Sequence, residues 1–203
     1  MSDGAPPLIL GSGSPRRREI LAALGIAVRV VKASVDETKR ADESAEQYLV
    51  RVVADKLHAV RSLAESASAR GVLVADTSVI VDGEVIGKPD DQADASRMLR
   101  MLSGRAHEVW TRFAVASETY EIAQTVRTRV WFRNLEEAEI VAYAATSEGL
   151  DKAGAYAIQG IGAFAVERIE GSYSNVVGLP ACEVVIALRR AGVLTTFPIV
   201  SRP

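Results

Sequence analysis

Cysteine is almost missing from this 203-residue chain: Cys182 stands alone. No internal disulfide can form, and the expectation is a reducing, cytoplasmic setting. Histidine is nearly as scarce. His58 and His107 lie far apart and lack zinc-ligand spacing, so both are expected to be ordinary surface or helix residues. No apolar run approaches the roughly 20 residues of a membrane span. The N-terminus lacks a basic segment followed by a long apolar stretch, so no signal peptide is expected. A strong charge of either sign is missing too. The formal net charge is −2, which argues against a dedicated nucleic-acid binder. There is no internal repeat and no low-complexity linker. What is present is apolar mass: 48% of the residues are hydrophobic, enough for a good core in one domain or two closely joined lobes.

Three arginines stand at the wrong end of a helix. Leu8-Ile9-Leu10, Gly11-Ser12-Gly13-Ser14 and the amphipathic stretch from Pro15 predict strand, loop and helix. Ser14 is a natural N-cap and Pro15 suits the first helical position. Arg16, Arg17 and Arg18 then fall where the helix dipole is already positive. An anion would offset them, and free N–H groups of a glycine loop at a helix start form an anion site. A phosphate chain is the simplest such anion. Alternatively, the arginines project into water at small cost. The loop is neither a P-loop, lacking Gly-Lys-Ser/Thr, nor a dinucleotide fingerprint, since Arg16 replaces the third glycine.

Further along, Val28–Val31 reads as a strand leading into an acidic loop, Ser34-Val35-Asp36-Glu37-Thr38. Ser44-Ala45-Glu46-Gln47 is a capping box, followed by a helix with Leu49, Val53, Leu57 and Val60 on one stripe. Residues 62–70 read as helix tail and loop. Val72–Ala75 predicts an interior strand ending at Asp76-Thr77. Val79–Val81, Asp82-Gly83 and Glu84–Ile86 form a hairpin. A helix from about Gln92 stops at Gly104. Val109–Val115 and Thr125–Phe132 are strands, Glu136–Ala145 a helix and Ala163–Ile169 a strand. Pro180 opens a last helix ending at Gly192, with residues 193–203 as a loosely held tail. The class is α/β with a mixed sheet.

Asp76 is the strongest chemical candidate. At a strand's carboxyl end it would lie where open α/β sheets place ligands; an aspartate there can also simply cap a turn. Asp36-Glu37 is a second acidic locus after a strand. Two carboxylates converging beside phosphates would hold a hard divalent cation; otherwise both belong to a solvated loop. Lys88 is held extended by Pro89 and suits phosphate oxygens, unless it is a plain turn lysine. Lys56, at the edge of its helix stripe, reads most simply as snorkelling. Gln159, in Tyr156-Ala157-Ile158-Gln159-Gly160-Ile161-Gly162, offers a donor and an acceptor that suit the edge of uracil or thymine. The plainer alternative is a glutamine that satisfies loop backbone.

Several segments together resemble the Maf family of nucleoside triphosphate pyrophosphatases. They are Leu8–Arg17, Ala75-Asp76-Thr77, Gly83–Pro89, Leu102-Ser103-Gly104, Asp151–Gly160 and Val176–Pro180. The likeness runs from about Leu8 to Gly192. It implies a two-lobed Maf/ITPase-like α/β fold in a single domain, with a mixed, bent β-sheet flanked by helices and a central cleft. It implies hydrolysis of a nucleoside triphosphate to monophosphate and pyrophosphate with Mg²⁺ or Mn²⁺, in the branch acting on dTTP and UTP. By motif match, Asp76 is the implied proton acceptor. Ser12, Arg16, Glu37, Lys56 and Lys88 are the implied phosphate and metal shell, with Glu37 and Asp76 on the metal. Arg16, Thr77 and Gln159 are the implied specificity positions. A homodimer, a house-cleaning role and a link to cell-division arrest are also implied, with no membrane and no stable nucleic-acid partner. Three departures stand out: Gly11 where alanine is usual, a mild change; Arg112 near a position commonly small, where it could alter substrate preference; and Glu37, which matches through an acidic pair whose Asp36 could share its role. Two other functions stay open: a non-hydrolytic nucleotide- or DNA-binding regulator of septation, and a purine triphosphate pyrophosphatase acting on ITP-like substrates.

Overall fold

The structure is a computed structural model that describes residues 6–32, 34–63 and 68–198. Among the described residues, seven strands form one mixed sheet in the order β2-β1-β3-β5-β6-β7, with β4 paired to β3. These are β1 (Leu8–Leu10), β2 (Val28–Val30), β3 (Gly71–Val81), β4 (Glu84–Ile86), β5 (Ala106–Ala116), β6 (Glu121–Phe132) and β7 (Val166–Glu170). The helices are α1 (Pro15–Ala23), α2 (Ala45–Arg61), α3 (Gln92–Leu102), α4 (Glu137–Ala145), α5 (Tyr173–Val177) and α6 (Ala181–Arg190). β1 pairs in parallel with β2 and with β3, whereas β4 is antiparallel to β3 and β7 to β6. The chain divides into two compact units, the first made of residues 1–76, 111–125 and 178–203, the second of 77–110 and 126–177. No helix among the described residues is long and apolar enough to cross a membrane.

In the first unit, Ile9, Val53, Leu57, Val60, Val72, Val74 and Ala114 form one buried cluster. The capping box of α2 forms as its sequence predicts: Ser44 Oγ accepts from Gln47 N, and the Gln47 side chain accepts from Ser44 N. The stripe on α2 is broader than its helical spacing indicates, since Tyr48 and Val52 are buried with it. The tail is anchored at its start, where Val193 and Leu194 are buried. Residues 64–67 and 199–203, parts of the expected loop and tail, lie outside the described residues.

Gly11 is not a mild departure in this chain. A Cβ built there would come within 2.7 Å of both Val60 Cγ2 and Val74 Cγ1. The valines occupy the space an alanine methyl would need. We expect Gly11→Ala to destabilise the protein by about 1–3 kcal/mol in urea unfolding, as overpacking does. The same substitution made on a Val60→Ala background should cost less, because the two sites share one volume. Equal costs on both backgrounds would contradict this packing.

In the second unit the core gathers Val79, Val81, Met98, Leu99, Leu102, Val130, Phe132, Ile140 and Tyr143. The hairpin turn falls at Asp82-Gly83, both with positive φ (52° and 85°), the geometry of a type I′ turn. Asp91 caps α3 by accepting from Asp94 N at 2.8 Å. The expected strand over Ala163–Ile169 begins only at Val166; Gly160–Ala165 form a 3-10 turn. Ala163, Phe164 and Ala165 carry no alternation that separates the two, and β7 starts where pairing with Phe132 becomes available.

His107 is neither a surface nor a helix residue. It is buried in β5, and its ring stands edge-on to Phe132 and Tyr156. Nε2 lies 2.8 Å from the Tyr156 hydroxyl, while Nδ1 has no hydrogen-bond partner among the described residues. Burial, helped by the Arg105 charge, pushes its pKa down to about 4. The unfolded chain binds this proton near pH 6.5, so the neutral ring stabilises the fold fully above that pH. As pH falls from 6.5 towards 4 that contribution is lost, by roughly 3 kcal/mol in all. Comparing urea unfolding at pH 7 and pH 4.5, His107→Gln should lose less stability than wild type. An identical pH dependence in the two proteins would contradict a buried neutral imidazole.

Candidate active site

The loop after β1 and the middle of β3 come together in the first unit. The β1–β3 parallel ladder runs out at Leu10 and Leu73, with Gly11 N donating to Leu73 O at 2.8 Å. Beyond that point the loop carries Ser12, and β3 carries Ala75 and Asp76. Asp76 therefore does not end a strand, as its sequence position predicts. β3 runs unbroken from Gly71 to Val81. The polar triplet Asp76-Thr77-Ser78 stays extended because Val79–Val81 is paired with β4 beyond it. Asp76 nonetheless lies past the carboxyl end of the parallel ladder, so the ligand-placement rule applies to the ladder rather than to the strand.

Asp76 is buried and pairs with Lys56 of α2: Nζ donates to Oδ1 at 2.7 Å. The same ammonium is 2.9 Å from Glu37 Oε1. Lys56 thus does more than snorkel. It joins two carboxylates whose oxygens are no more than two hydrogen bonds apart. Glu37 is half-exposed, while the side chains of Lys56 and Asp76 are largely covered. This Glu37–Lys56–Asp76 chain of ion pairs is what the acidic loop and the apolar strand bring together.

Two α2 residues that the sequence reading missed fix the acidic loop. The Tyr48 hydroxyl donates to Glu37 O at 3.1 Å. Burial, together with the negative charges of Asp76 and Glu37, pushes that phenol's pKa up, so it stays a donor. Arg51 donates to Asp36 O at 3.0 Å and Thr38 O at 2.9 Å, and its other edge pairs with Glu43. Hydrogen bonding to Arg51 pushes the Glu43 carboxyl down to about 2. Asp36 turns its carboxylate onto Thr38 N at 2.9 Å. Tyr48 and Arg51 sit at i and i+3 on α2, a spacing that marks them as neighbours on one face.

The three arginines of α1 part company. Arg18 is exposed and Arg16 half-buried. Arg17 is buried and caged by oxygens: Nε donates to Gly178 O at 2.8 Å, and an Nη donates to Ala75 O at 2.8 Å and Ser12 Oγ at 3.0 Å. Burial lowers its pKa. Asp76 and Glu37 act in the opposite sense and Arg16 adds to the lowering, so these four charges share one neighbourhood. The expected offsetting anion is thus supplied for Arg17 by main-chain carbonyls and Asp76. Ser14 is the N-cap by position only, since its hydroxyl makes no cap bond and its N–H donates to Ser12 Oγ at 3.2 Å.

Arg112 is held within the first unit. It donates to Thr125 Oγ1 at 3.0 Å and lies 3.9 Å from Glu46.

The remaining expected site residues lie in the second unit. Thr77 follows Asp76 in β3. Lys88 is exposed just after β4, and the preceding Gly87 O accepts from Gly154 N at 3.0 Å. Gln159 is exposed and extended (φ −89°, ψ 152°) ahead of the 3-10 turn. Its side chain makes no hydrogen bond among the described residues, so it is not consumed by satisfying the loop.

The family model for Maf-like proteins matches residues 7–191. The chain belongs to the Maf family. Among curated relatives, a Maf-family match of 51% identity over 189 residues is the dTTP/UTP pyrophosphatase of Geotalea uraniireducens (strain Rf4), covering 92% of this chain and 96% of that protein. The dTTP/UTP pyrophosphatase of Myxococcus xanthus (strain DK1622) is 51% identical over 185 residues, covering 91% and 92%. That of Hahella chejuensis (strain KCTC 2396) is 47% identical over 197 residues, covering 95% and 98%.

Proposed function

We propose that this Maf-family chain is a hydrolase that cleaves dTTP and UTP to the monophosphate and pyrophosphate. The observation that carries the chemistry is Asp76: a buried carboxylate held by Lys56, next to a glycine loop and a cluster of cations. Water attacks the α-phosphorus, the new P–O bond forms as the α–β bridging bond breaks, and pyrophosphate leaves with that electron pair. Asp76 takes the proton of the attacking water. Most of the work is placement and charge stabilisation. Ser12 and Arg16 meet the phosphates from the loop and α1. Lys56 and Lys88 neutralise phosphate charge as ammonium groups. Base selection belongs to Arg16, Thr77 and Gln159.

A divalent cation fits the donor set. Glu37 and Asp76 present hard carboxylate oxygens close to one another. Mg²⁺ is commonly held by one or two carboxylates plus substrate phosphates rather than by a closed protein cage. Among the described residues no three His, Cys, Asp or Glu side chains cluster as such a cage. Bound there, Mg²⁺ or Mn²⁺ supplies Lewis-acid polarisation of phosphoryl oxygens. Lys56 already neutralises part of both carboxylates, so cation affinity depends on the triphosphate bringing its own charge. A cytoplasmic setting, a homodimer and the absence of a stable nucleic-acid partner belong to the same reading.

A panel of dTTP, UTP, CTP, GTP and ITP with Mg²⁺ tests it, with pyrophosphate separated from orthophosphate. Pyrophosphate release favouring dTTP and UTP is expected. Orthophosphate alone would place the cleaved bond at the γ position and refute the reaction.

A further inference from the structure

Gln159 stands exposed with no side-chain hydrogen bond among the described residues, yet a carboxamide that reads a base edge must be held in place by its backbone. Three main-chain N–H groups flank it, and all three end on one pair of side chains. Ala157 N donates to the Tyr143 hydroxyl at 3.1 Å. Ile161 N donates to Glu148 Oε1 at 3.0 Å and Gly162 N to Glu148 Oε2 at 2.8 Å. The Tyr143 hydroxyl closes the circuit by donating to Glu148 Oε2 at 2.8 Å. Two residues before Gln159 and two and three residues after it, the loop is therefore tied to a single Tyr–Glu unit.

That unit is itself rigid. Tyr143 is buried on α4, and its ring meets Phe164 edge-on at 5.6 Å. Glu148 follows Ser147, which adopts φ 60°, and its N–H is turned onto Thr146 Oγ1 at 3.2 Å. The approach is close enough that a Cβ on Gly162 would fall 2.5 Å from the Tyr143 hydroxyl. A carboxylate is the acceptor this junction needs. It takes two backbone N–H groups and one hydroxyl at once, whereas a neutral amide would turn an N–H₂ against one of those donors.

We propose that Tyr143 and Glu148 are positioning residues for base selection: they fix the 157–162 loop so that Gln159 presents its carboxamide at one height and angle. This rests on the reading of Gln159 as the group that meets the pyrimidine. Neither residue touches the reacting atoms, so their loss acts on which triphosphate is used before it acts on how fast phosphate chemistry proceeds.

The experiment compares wild type with Tyr143→Phe and Glu148→Gln. Steady-state kinetics with UTP and CTP are combined with amide hydrogen exchange of residues 157–162. Both variants should raise KM for UTP about tenfold or more, change kcat by less than threefold, and shrink the UTP-to-CTP ratio of kcat/KM at least tenfold. Exchange should speed up at Ala157, Ile161 and Gly162 while the β3 and β6 amides keep their protection. A purely structural role predicts an equal loss for both triphosphates and an unchanged ratio. An unchanged ratio, or unchanged exchange in the loop, overturns the inference. Wild type that releases no pyrophosphate from any triphosphate instead sinks the underlying function, while the exchange arm still reports whether the pair holds the loop. Should Glu148→Gln fail to fold, Tyr143→Phe, which keeps the ring packing, gives the same two readouts.

Discussion

Asp76→Asn should abolish most pyrophosphate release while leaving the protein folded. The amide keeps the shape of the side chain and retains an oxygen that can accept from Lys56 Nζ, now 2.7 Å from Oδ1. Lys56 also keeps Glu37 at 2.9 Å, so its charge is not stranded. Unfolding midpoints should therefore stay close to wild type. What the variant loses is a negative oxygen able to take a proton from water, and half of the carboxylate set for a cation. Loss of a positioned general base typically costs about 10²–10⁴-fold, and loss of a cation ligand adds to that. A turnover within a few-fold of wild type would remove Asp76 from the chemistry.

The second large effect is expected at Arg17, which in sequence is indistinguishable from Arg16 and Arg18. Arg17→Ala removes the donors to Ala75 O, Gly178 O and Ser12 Oγ in one step. It also leaves a cavity at a position that is only 8% exposed. Ser12 Oγ keeps the Ser14 N–H as a donor, but the bonds lost at Ala75 O and Gly178 O are buried, and losing each costs about 1–3 kcal/mol. The total should be roughly 3 kcal/mol or more in urea unfolding. Arg17→Lys should recover only part of that, because a single ammonium cannot reproduce a planar fork reaching three separated oxygens. Since Ala75 directly precedes Asp76, activity should fall along with stability. An Arg17→Ala protein with wild-type stability would show that the oxygen cage is incidental.

Those two residues mark the boundary of what the sequence disclosed. Short, local signals were legible. The Gly/Ser loop before Pro15, the Ser44 capping box, the Asp82-Gly83 turn and the stop at Gly104 each depend on neighbours within a few positions, and each formed. Signals that depend on distant partners were not. Asp76-Thr77 reads as a strand end, because burial of that aspartate makes sense only once Lys56 is known to face it. Arg17 looked like Arg16 and Arg18, because nothing local announces that carbonyls 58 and 161 positions away will surround its guanidinium. Tyr48 and Arg51 carried a faint signal in their i, i+3 spacing on α2, beside an acidic loop that needed holding. Tyr143 and Glu148 carried none that spacing can supply. His107 reads as a surface or helix residue for the same reason, since its aromatic surroundings come from β6 and the turn before Gln159.

The proposed hydrolysis puts water on one phosphorus of the triphosphate, and isotope labelling reads that atom directly. The protein is incubated with UTP and Mg²⁺ in H₂¹⁸O, and both products are weighed by mass spectrometry. Attack at the α-phosphorus beside Asp76 predicts one ¹⁸O in UMP and none in pyrophosphate. Label in the pyrophosphate, or in released orthophosphate, would contradict it.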